Sequence, residues 1–246
     1  MNAGPVDPHF DGIPGLTLGG WLAGRVAALV GAEAEVRLLA PFRSGESLTL
    51  ERSGDGARAL SDGQPIAEGR PWSGAIDPPA PPSLEQARAA SETYPGFREH
   101  PFPRCFCCGP LREPGQGLRI FPGLAADGVL AAPWIPDPAH CDSAGHATTE
   151  TLWGASDCPA LWALMHAEPP GSGRCVVSGT LRMRQLEPVV SGEPQVVVAW
   201  KKGEAGRRLE AGVAFFGPDA RLKAVGMQVA VLAPNGVPLR ISRGSG

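Results

Sequence analysis

The chain has 246 residues, of which 43% are hydrophobic and 19% are charged, so it can form one large domain or two small ones with a real core. Its formal net charge is −3 and it has no long run of Lys or Arg, which argues against sequence-independent nucleic-acid binding. No apolar stretch reaches the ~20 residues of a membrane-spanning helix, so we expect no membrane insertion.

Residues 1–7 have neither the basic region nor the apolar region of a secretory signal peptide, so we expect a cytoplasmic protein. In that compartment the six cysteines are expected to be reduced thiols. A helix is predicted over residues 16–30, where apolar side chains recur at helical spacing. Gly31 follows at a position that suits the end of this helix.

The segment after this helix alternates short apolar runs with glycine turns, a pattern that is typical of β-hairpins. A proline-rich connector, residues 71–82, is expected to be extended and semi-rigid. A short helix is predicted at residues 84–92, with Ser83 as its N-cap. The strands predicted before the connector are residues 35–39, 46–52, 57–60 and 65–69.

The second half repeats this arrangement, with a helix predicted at residues 149–166 and β-like runs around it. The later runs alternate and are rich in β-branched residues, which suits an antiparallel sheet. We therefore predict a first, shorter unit at 1–75, a linker with a short helix at 76–100, and a second unit at 101–246. The strands predicted in the second half are residues 118–121, 129–134, 176–185, 195–201, 209–216 and 221–232.

The two halves also share a motif. Pro41-Phe42-Arg43-Ser44-Gly45-Glu46 recurs 147 residues later as Pro188-Val189-Val190-Ser191-Gly192-Glu193. The helical segments before the two copies align at an offset of 134 residues, and the hairpins after them at 157 residues. Three matches in the same order indicate an internal duplication.

Two segments carry a resemblance to a known family. Cys105-Phe106-Cys107-Cys108-Gly109-Pro110, followed by Gly117-Leu118-Arg119-Ile120-Phe121, resembles the segment before the first strand of hot-dog acyl-CoA thioesterases of the phenylacetate-pathway type. The segment from Phe10 to Gly24, with Gly12, Pro14-Gly15 and Gly19-Gly20-Trp21, resembles the helix start of thioesterase-like proteins. Together with the duplication, the resemblance covers most of the chain.

The resemblance implies an α+β fold of the double hot-dog type. Two central helices would each be wrapped by an antiparallel sheet, and the two sheets would join into one extended sheet. It also implies an active site between the two units, an acyl thioester such as acyl-CoA as substrate, and no cofactor. Whether the chain forms a homo-oligomer is left open.

In this family a carboxylate on the central helix acts as general base or nucleophile, and Asp157 is the residue that matches. Its neighbours on the predicted helix are apolar, and burial would raise its pKa, which suits acid–base chemistry. Asp157 could instead be an N-cap, with Pro159 in the first turn of a new helix. At the offset of 134 residues it aligns with Ala23, and the first predicted helix carries no carboxylate, so we expect a single acid-dependent site.

The resemblance also implies that a backbone N–H at the start of the facing helix binds the thioester oxygen. The N-terminus of a helix has unpaired N–H groups and a positive dipole end, which suit a developing oxyanion. The candidates are Gly15 and Leu16 at the start of the first helix, and Thr149 and Glu150 at the start of the second. Glu150 could serve as an auxiliary acid or only as a partner of the helix dipole.

The chain departs from the family pattern at these positions, because many relatives have His-Gly-Gly where Thr148-Thr149-Glu150 stands here. This departure keeps two other functions open. One is a non-catalytic protein of the same fold that binds an acyl group or small ligand. The other is a hydratase or dehydratase, for which His146 with Asp157 is the available pair of acid–base groups.

The cysteines raise the question of a metal site. Zinc is bound by sets of Cys and His side chains, but no second Cys-x-x-Cys completes a set in this chain. The sequence therefore favours buried free thiols, and we expect no metal. The zinc ligands considered are Cys105, Cys107, Cys108, His140, Cys141 and His146.

Overall fold

The computed structural model describes residues 2–166 and 176–232. The helices of these residues are α1 (Gly19–Val30), α2 (Leu84–Glu92) and α3 (Thr149–His166). The strands are β1 (Asn2–Pro5), β2 (Asp11–Ile13), β3 (Leu16–Thr17), β4 (Glu33–Leu38), β5 (Ser47–Ser53), β6 (Gly56–Ser61), β7 (Gln64–Pro71), β8 (Gly123–Ala126), β9 (Val129–Trp134), β10 (Val176–Gln185), β11 (Gln195–Ala205), β12 (Arg208–Phe216) and β13 (Leu222–Leu232).

Eleven of the strands form one antiparallel sheet, in the order β1-β5-β6-β7-β4-β10-β13-β12-β11-β9-β8. Strands β2 and β3 form a separate hairpin. The pairing of β4 with β10 joins the strands of the two halves of the chain. Helix α1 packs on the strands before this seam, α3 packs on those after it, and the two helices pack on each other. The predicted α+β class with a large antiparallel sheet is confirmed, whereas the boundaries at 75 and 100 stay a prediction.

The bounds predicted for two of the helices are confirmed. Helix α2 covers residues 84–92, and its start has a reciprocal capping box in which the Ser83 hydroxyl accepts the Gln86 N–H and the Gln86 side chain accepts the Ser83 N–H. Helix α3 covers residues 149–166. None of the helices in residues 2–166 and 176–232 is long and apolar enough to cross a membrane.

Helix α1 begins at Gly19, three residues after the predicted start at Leu16. Leu16 and Thr17 form β3 instead, and the Thr17 N–H donates to the Phe42 carbonyl at 3.0 Å. The N-cap is Leu18, whose side chain offers no hydrogen-bond acceptor. Because an apolar residue stands where a Ser, Thr or Asp would mark the boundary, the apolar spacing extended the predicted helix too far.

The strand predicted at residues 118–121 is wrong. Leu118 and Ile120 are buried, and their N–H groups donate to the carbonyls of Phe106 and Cys107 at 2.8 and 3.0 Å. Arg119 between them has a φ of 55°, a left-handed conformation that an extended strand does not contain. These residues therefore bind by hydrogen bonds to the cysteine-rich loop, residues 105–110, and the next strand is β8.

The register of the sheet repeats between the two halves at the offsets of the predicted duplication. Strands β4 and β10 pair around Glu35 and Arg182, which lie opposite each other and 147 residues apart. Leu181 of β10 lies opposite Gln228 of β13, and the corresponding pair in β4 and β7 is Ala34 with Pro71. The offsets of 147 and 157 residues therefore hold for the strands on both sides of the seam.

The two helices, however, are offset by 130 residues and not by the predicted 134. Gly15 and Gly145 have the same φ of 77°, and their carbonyls accept from Ser44 and Ser191 of the repeated motif. The predicted alignment is wrong by one helical turn, because a shift of four residues keeps an apolar helix on nearly the same face. The counterpart of Asp157 in α1 is therefore Ala27 and not Ala23.

Helices α1 and α3 approach each other through glycines. A Cβ atom at Gly20 would lie 2.5 Å from the Trp153 carbonyl oxygen, and one at Gly24 would lie 2.4 Å from the Glu150 Cα. Both distances are shorter than a carbon atom allows, so these positions require glycine. At Gly154, the nearest atom to an added Cβ is a Leu18 side-chain carbon at 3.5 Å, an ordinary contact.

The seam between β4 and β10 has an ion pair at its centre. Glu35 is 7% exposed and accepts hydrogen bonds from Arg182 at 2.5 Å and from Arg70 at 2.8 Å. Burial alone would raise the pKa of Glu35, but the hydrogen bonds and charges of Arg182 and Arg70 outweigh it and hold this pKa below its usual range. The carboxylate thus links both halves of the chain in its charged form.

We expect Glu35→Gln to lower the free energy of unfolding by about 1–3 kcal/mol, because an amide cannot form charge-assisted bonds to two guanidinium groups. Glu33→Gln is the matched control, because Glu33 lies on β4 like Glu35 but its ion pair is exposed. Its side chain is 39% exposed, and that of its partner Arg184 on β10 is 44% exposed. That change should cost less than about 1 kcal/mol. Urea unfolding followed by tryptophan fluorescence measures both, and equal costs would contradict the central role of Glu35.

We expect Gly20→Ala to destabilise the chain by about 2 kcal/mol or more, because the helices must separate to admit the methyl group. Gly154→Ala adds the same group to α3 where there is room, and alanine is the better helix former by about 1 kcal/mol. The control should therefore be neutral or stabilising in thermal unfolding. If both variants lost stability equally, close contact at Gly20 would not explain the effect.

Candidate functional site

Asp157 lies two turns inside α3 and is 1% exposed. The helix continues through Pro159, so the alternative in which Asp157 caps a new helix is wrong. Pro159 has no N–H to donate to the Ala155 carbonyl, four residues earlier. The thiol of Cys107, in the cysteine-rich loop, lies 4.0 Å from that oxygen and is directed at it.

Three hydrogen-bond donors surround the Asp157 carboxylate. Its Oδ1 accepts from the Ser178 hydroxyl at 2.7 Å and from the Gln228 Nε2 at 2.8 Å, and its Oδ2 accepts from the Gly20 N–H at 2.7 Å. The Gln228 Nε2 also donates to the Ser178 oxygen at 2.7 Å. The network thus joins α3 to β10, to β13 and to the N-terminus of α1.

The contact with Gly20 places the carboxylate at the positive end of the α1 dipole. Asp157 therefore lies opposite the start of α1, and its catalytic role stays a prediction. Burial raises the pKa of Asp157, and the hydrogen bonds from Ser178, Gly20 and Gln228 only partly oppose this effect. A buried carboxylate at a helix N-terminus can accept a proton from a reactant that reaches it.

The network comes closest to solvent at Gly19 and Ser178, which are both partly exposed. A Cβ at Gly19 would lie 3.4 Å from the Asp157 Oδ2 and 3.5 Å from the Ser178 Cβ. Gly19 is the first residue of α1, where a backbone N–H has no acceptor within the helix. A small reactant at this point would meet a donor, a hydroxyl and the carboxylate together.

Gly15 and Leu16 do not lie at the start of α1, so the placement on which their predicted role rested is wrong. Gly15 is in the turn between β2 and β3, and its N–H donates to the Asp11 carboxylate at 2.7 Å. Leu16 is paired in β3. The physical reason is the later start of α1, which leaves the free helical N–H at Gly19.

Thr149 and Glu150 are in the first turn of α3, as predicted, but not beside Asp157. Eight residues of helix separate Thr149 from Asp157, about 12 Å along the axis. Glu150 packs against Gly24 in the middle of α1. The structure therefore does not bring these two candidates together with the carboxylate.

The start of α3 belongs to a second site that the duplication relates to the first. A cavity of about 200 Å³ lies there, lined in part by Thr149, Ala27 and Gly31. At the offsets of 130, 147 and 157 residues, Asp157, Ser178 and Gln228 correspond to Ala27, Gly31 and Pro71. All three polar groups are thus missing from the second site, and a single acid-dependent site stays a prediction, with Ala27 in place of Ala23 as the counterpart of Asp157.

Sequence reasoning did not identify Ser178 and Gln228. Gln228 is polar in the buried run of β13, between Gly226 and Ala230, and a buried amide needs a partner. That signal could have identified it as unusual, although not as a partner of Asp157. His146, the acid–base partner considered for a hydratase, precedes α3 and forms a bridge to Val190, and it is not among the three groups that hold Asp157.

Neither a known protein family nor a curated protein matches the sequence. Solved structures do match the fold. A candidate thioesterase of Novosphingobium aromaticivorans aligns over 94% of this chain and 94% of its own, with a TM-score of 0.64 and 17% identity. The TesB protein of Mycobacterium avium subspecies paratuberculosis covers 89% and 88%, with a TM-score of 0.54 and 15% identity.

A third structure, the acyl-CoA thioesterase II TesB2 of Mycobacterium marinum, aligns over 84% of this chain and 82% of its own, with a TM-score of 0.54 and 16% identity. At these identities the similarity concerns the fold. The chain therefore has the fold of thioesterase-like proteins of the hot-dog type, as the two sequence segments predicted.

Proposed function

We propose that this chain hydrolyses an acyl thioester, such as an acyl-CoA, at Asp157. The observation that carries the proposal is the buried carboxylate held between the first turn of α1 and the side chains of Ser178 and Gln228. The substrate class comes from the structures that share the fold, one of which is named an acyl-CoA thioesterase. A cytoplasmic location, the lack of a cofactor and the oligomeric state stay predictions from the sequence.

The proposal includes a double hot-dog arrangement within one chain. Two observations support it: β4 and β10 pair around Glu35 and Arg182, and the strand register repeats at constant offsets. In this arrangement the acid comes from the second unit and the helix N-terminus from the first. The site would then need both units, as the cross-helix bond between Gly20 and Asp157 suggests.

In the proposed reaction, Asp157 acts as general base and takes a proton from a water molecule. The water oxygen forms a bond to the thioester carbon, and the carbonyl electron pair moves to the oxygen, where the Gly19 N–H stabilises it. When the carbonyl re-forms, the C–S bond breaks and the thiolate leaves with its electron pair. The proton on Asp157 passes to the thiolate, which gives a carboxylic acid and a thiol.

Ser178 and Gln228 position the carboxylate and the water in this scheme. The Gln228 Nε2 donates to both Asp157 and Ser178. Its Oε1 is buried and has no hydrogen-bond partner among the described residues. A buried acceptor of this kind is normally satisfied, and the attacking water is the partner we assign to it.

A non-catalytic binding protein is the second candidate, because both oxygens of Asp157 already accept hydrogen bonds and its side chain is almost fully buried. In that case the network would serve only to hold α1, α3 and the sheet together. No observation on the described residues favours the hydratase, because Asp157 is held by Ser178, Gly20 and Gln228 and not by a histidine.

We expect Asp157→Asn to lower the rate of hydrolysis by about 10²–10⁴-fold, because the amide keeps the size of the side chain but cannot accept a proton. Release of thiol from short, long and aromatic acyl-CoA substrates measures the rate. Asp127→Asn is the matched control, since Asp127 lies in the exposed turn before Gly128 and the change leaves a good turn residue. Hydrolysis at the wild-type rate in Asp157→Asn would exclude Asp157 as the base.

If no acyl-CoA is hydrolysed by the wild-type chain, the thioesterase proposal is wrong. A rise in thermal stability with an acyl-CoA, without turnover, would then favour the binding protein. The Asp127→Asn variant should show the same stabilisation as the wild type in either case.

We expect Ser178→Ala and Gln228→Leu each to lower kcat by about 10²-fold, because each change removes a donor from the reacting groups. Adding Gln228→Leu to Asp157→Asn should cost little more than Asp157→Asn alone, since residues that act as one unit are not additive. Ser47→Ala on an exposed position of β5 is the control. Full additivity of the two losses would show that Gln228 acts independently of the carboxylate.

A further inference from the structure

Three buried thiols converge on the side of α3 that faces the cysteine-rich loop. Cys105 and Cys108 come from the loop and Cys158 from the helix, and their Sγ atoms all lie within 4.8 Å of one another. The Sγ atoms of Cys105 and Cys158 are 3.6 Å apart. We propose that these three sulfur atoms bind one Zn²⁺ ion.

The spacing of the sulfur atoms suits this ion. Zinc binds cysteine sulfur at about 2.3 Å in a tetrahedral arrangement, which places neighbouring sulfurs roughly 3.8 Å apart. The three Sγ atoms therefore need only small movements to become ligands. Sulfur ligands select soft ions, and calcium and magnesium prefer oxygen, so zinc fits the donors present.

The loop has a tight turn that brings together two cysteines with two residues between them. The Gly109 N–H donates to the Cys105 carbonyl at 2.9 Å and closes the turn. A Cβ at Gly109 would lie 2.5 Å from the Cys105 nitrogen, so the turn requires glycine.

The three thiols face one another inside the cluster, and the Cys105 and Cys158 sulfurs are in hydrogen-bond contact at 3.6 Å. Binding of Zn²⁺ forms three S–Zn bonds and releases the thiol protons to solvent, which balances the reaction.

The surroundings supply partners for a negatively charged cluster. The Arg112 guanidinium donates to the carbonyls of Arg104, Gln116 and His9, and its positive charge acts on Cys105. The hydrogen bonds of the guanidinium go to neutral carbonyls, and its charge acts on both Cys105 and the Asp11 carboxylate. Positive charge near the sulfurs lowers the cost of burying them as thiolates.

His100 donates a hydrogen bond to one of the three sulfur atoms, that of Cys108. Its Nδ1 accepts the Phe102 N–H at 2.9 Å, so the ring proton lies on Nε2, which is 3.3 Å from the Cys108 Sγ. Protonated in this way, His100 donates to the sulfur and is not a ligand. Hydrogen bonds to ligand sulfurs are a usual part of thiolate sites.

This proposal replaces the sequence-based expectation of free thiols without metal, and its ligand set differs from the six zinc ligands considered there. Cys141 donates to the Asp137 carbonyl, and His140 packs its ring against Phe106, so neither joins the three sulfurs. The third ligand, Cys158, lies far along the chain from the loop and is brought in by α3. The five described cysteines form no disulfide, and Cys175 lies outside the described residues.

The test measures metal on the full chain, purified with reductant and without chelator, by elemental analysis of zinc. We expect about one zinc ion per chain. Cys105→Ser, Cys108→Ser and Cys158→Ser should each lose most of it. Cys141→Ser is the control, because the Cys141 thiol donates to the Asp137 carbonyl outside the cluster, and this variant should keep its zinc.

Replacing zinc with Co²⁺ in the wild-type chain gives a readout that does not depend on how well a variant folds. We expect an intense thiolate-to-cobalt charge-transfer band in the near ultraviolet. Lack of both bound zinc and this band in the wild type would overturn the proposal, and so would equal loss of zinc in Cys141→Ser. A disulfide between Cys105 and Cys158, detected as a crosslinked peptide before reduction, would also overturn it. None of these readouts depends on thioester hydrolysis.

Discussion

The close contact of α1 and α3 at Gly20 is the constraint on which the rest of the structure depends. Without a side chain at this position the two helix backbones approach closely, and the Gly20 N–H reaches Asp157 at 2.7 Å. A buried carboxylate without partners costs several kcal/mol or becomes protonated. Here the donors come from α1, β10 and β13, so the acid is tolerated only when both halves of the chain are joined. Asp157 therefore depends on two contacts between the halves of the chain. One is the pairing of β4 with β10 around Glu35 and Arg182, and the other is the helix contact at Gly20.

The repeated strand register relates the Asp157 site to a second site that has no acid. At the related site Ala27 replaces the acid, and Gly31 and Pro71 replace its two side-chain donors. Loss of the carboxylate alone would have left buried donors without an acceptor, which is itself unfavourable. All three groups are replaced together at the related site, whose cavity is lined by Thr149, Trp153, Gln185 and small residues. The two halves can thus differ in chemistry while their strands keep the same register.

Local signals made much of the fold predictable. The Ser83 cap gave the start of α2, and an acid among the apolar residues of the segment that forms α3 gave Asp157. The partners of Asp157 were not predictable, because Ser178 and Gln228 lie on strands whose alignment depends on the whole sheet. The start of α1 was misplaced because Leu18 gives no capping signal. The helix offset was misplaced because a shift of one helical turn hardly changes the spacing of apolar residues.

The turn of α3 around Asp157 shows how the cysteine-rich loop can influence the site without contacting a reactant. Pro159 removes the helical donor to the Ala155 carbonyl, and the Cys107 thiol takes its place. Cys158 is directed toward Cys105 of the same loop, while Asp157 is directed toward α1. Successive residues of a helix differ by about 100° in direction, so one turn can present the acid on one side and be fastened on the other. A helix weakened by proline next to its acid needs such a support, because a small shift of this turn would break the 2.7 Å contact with Gly20.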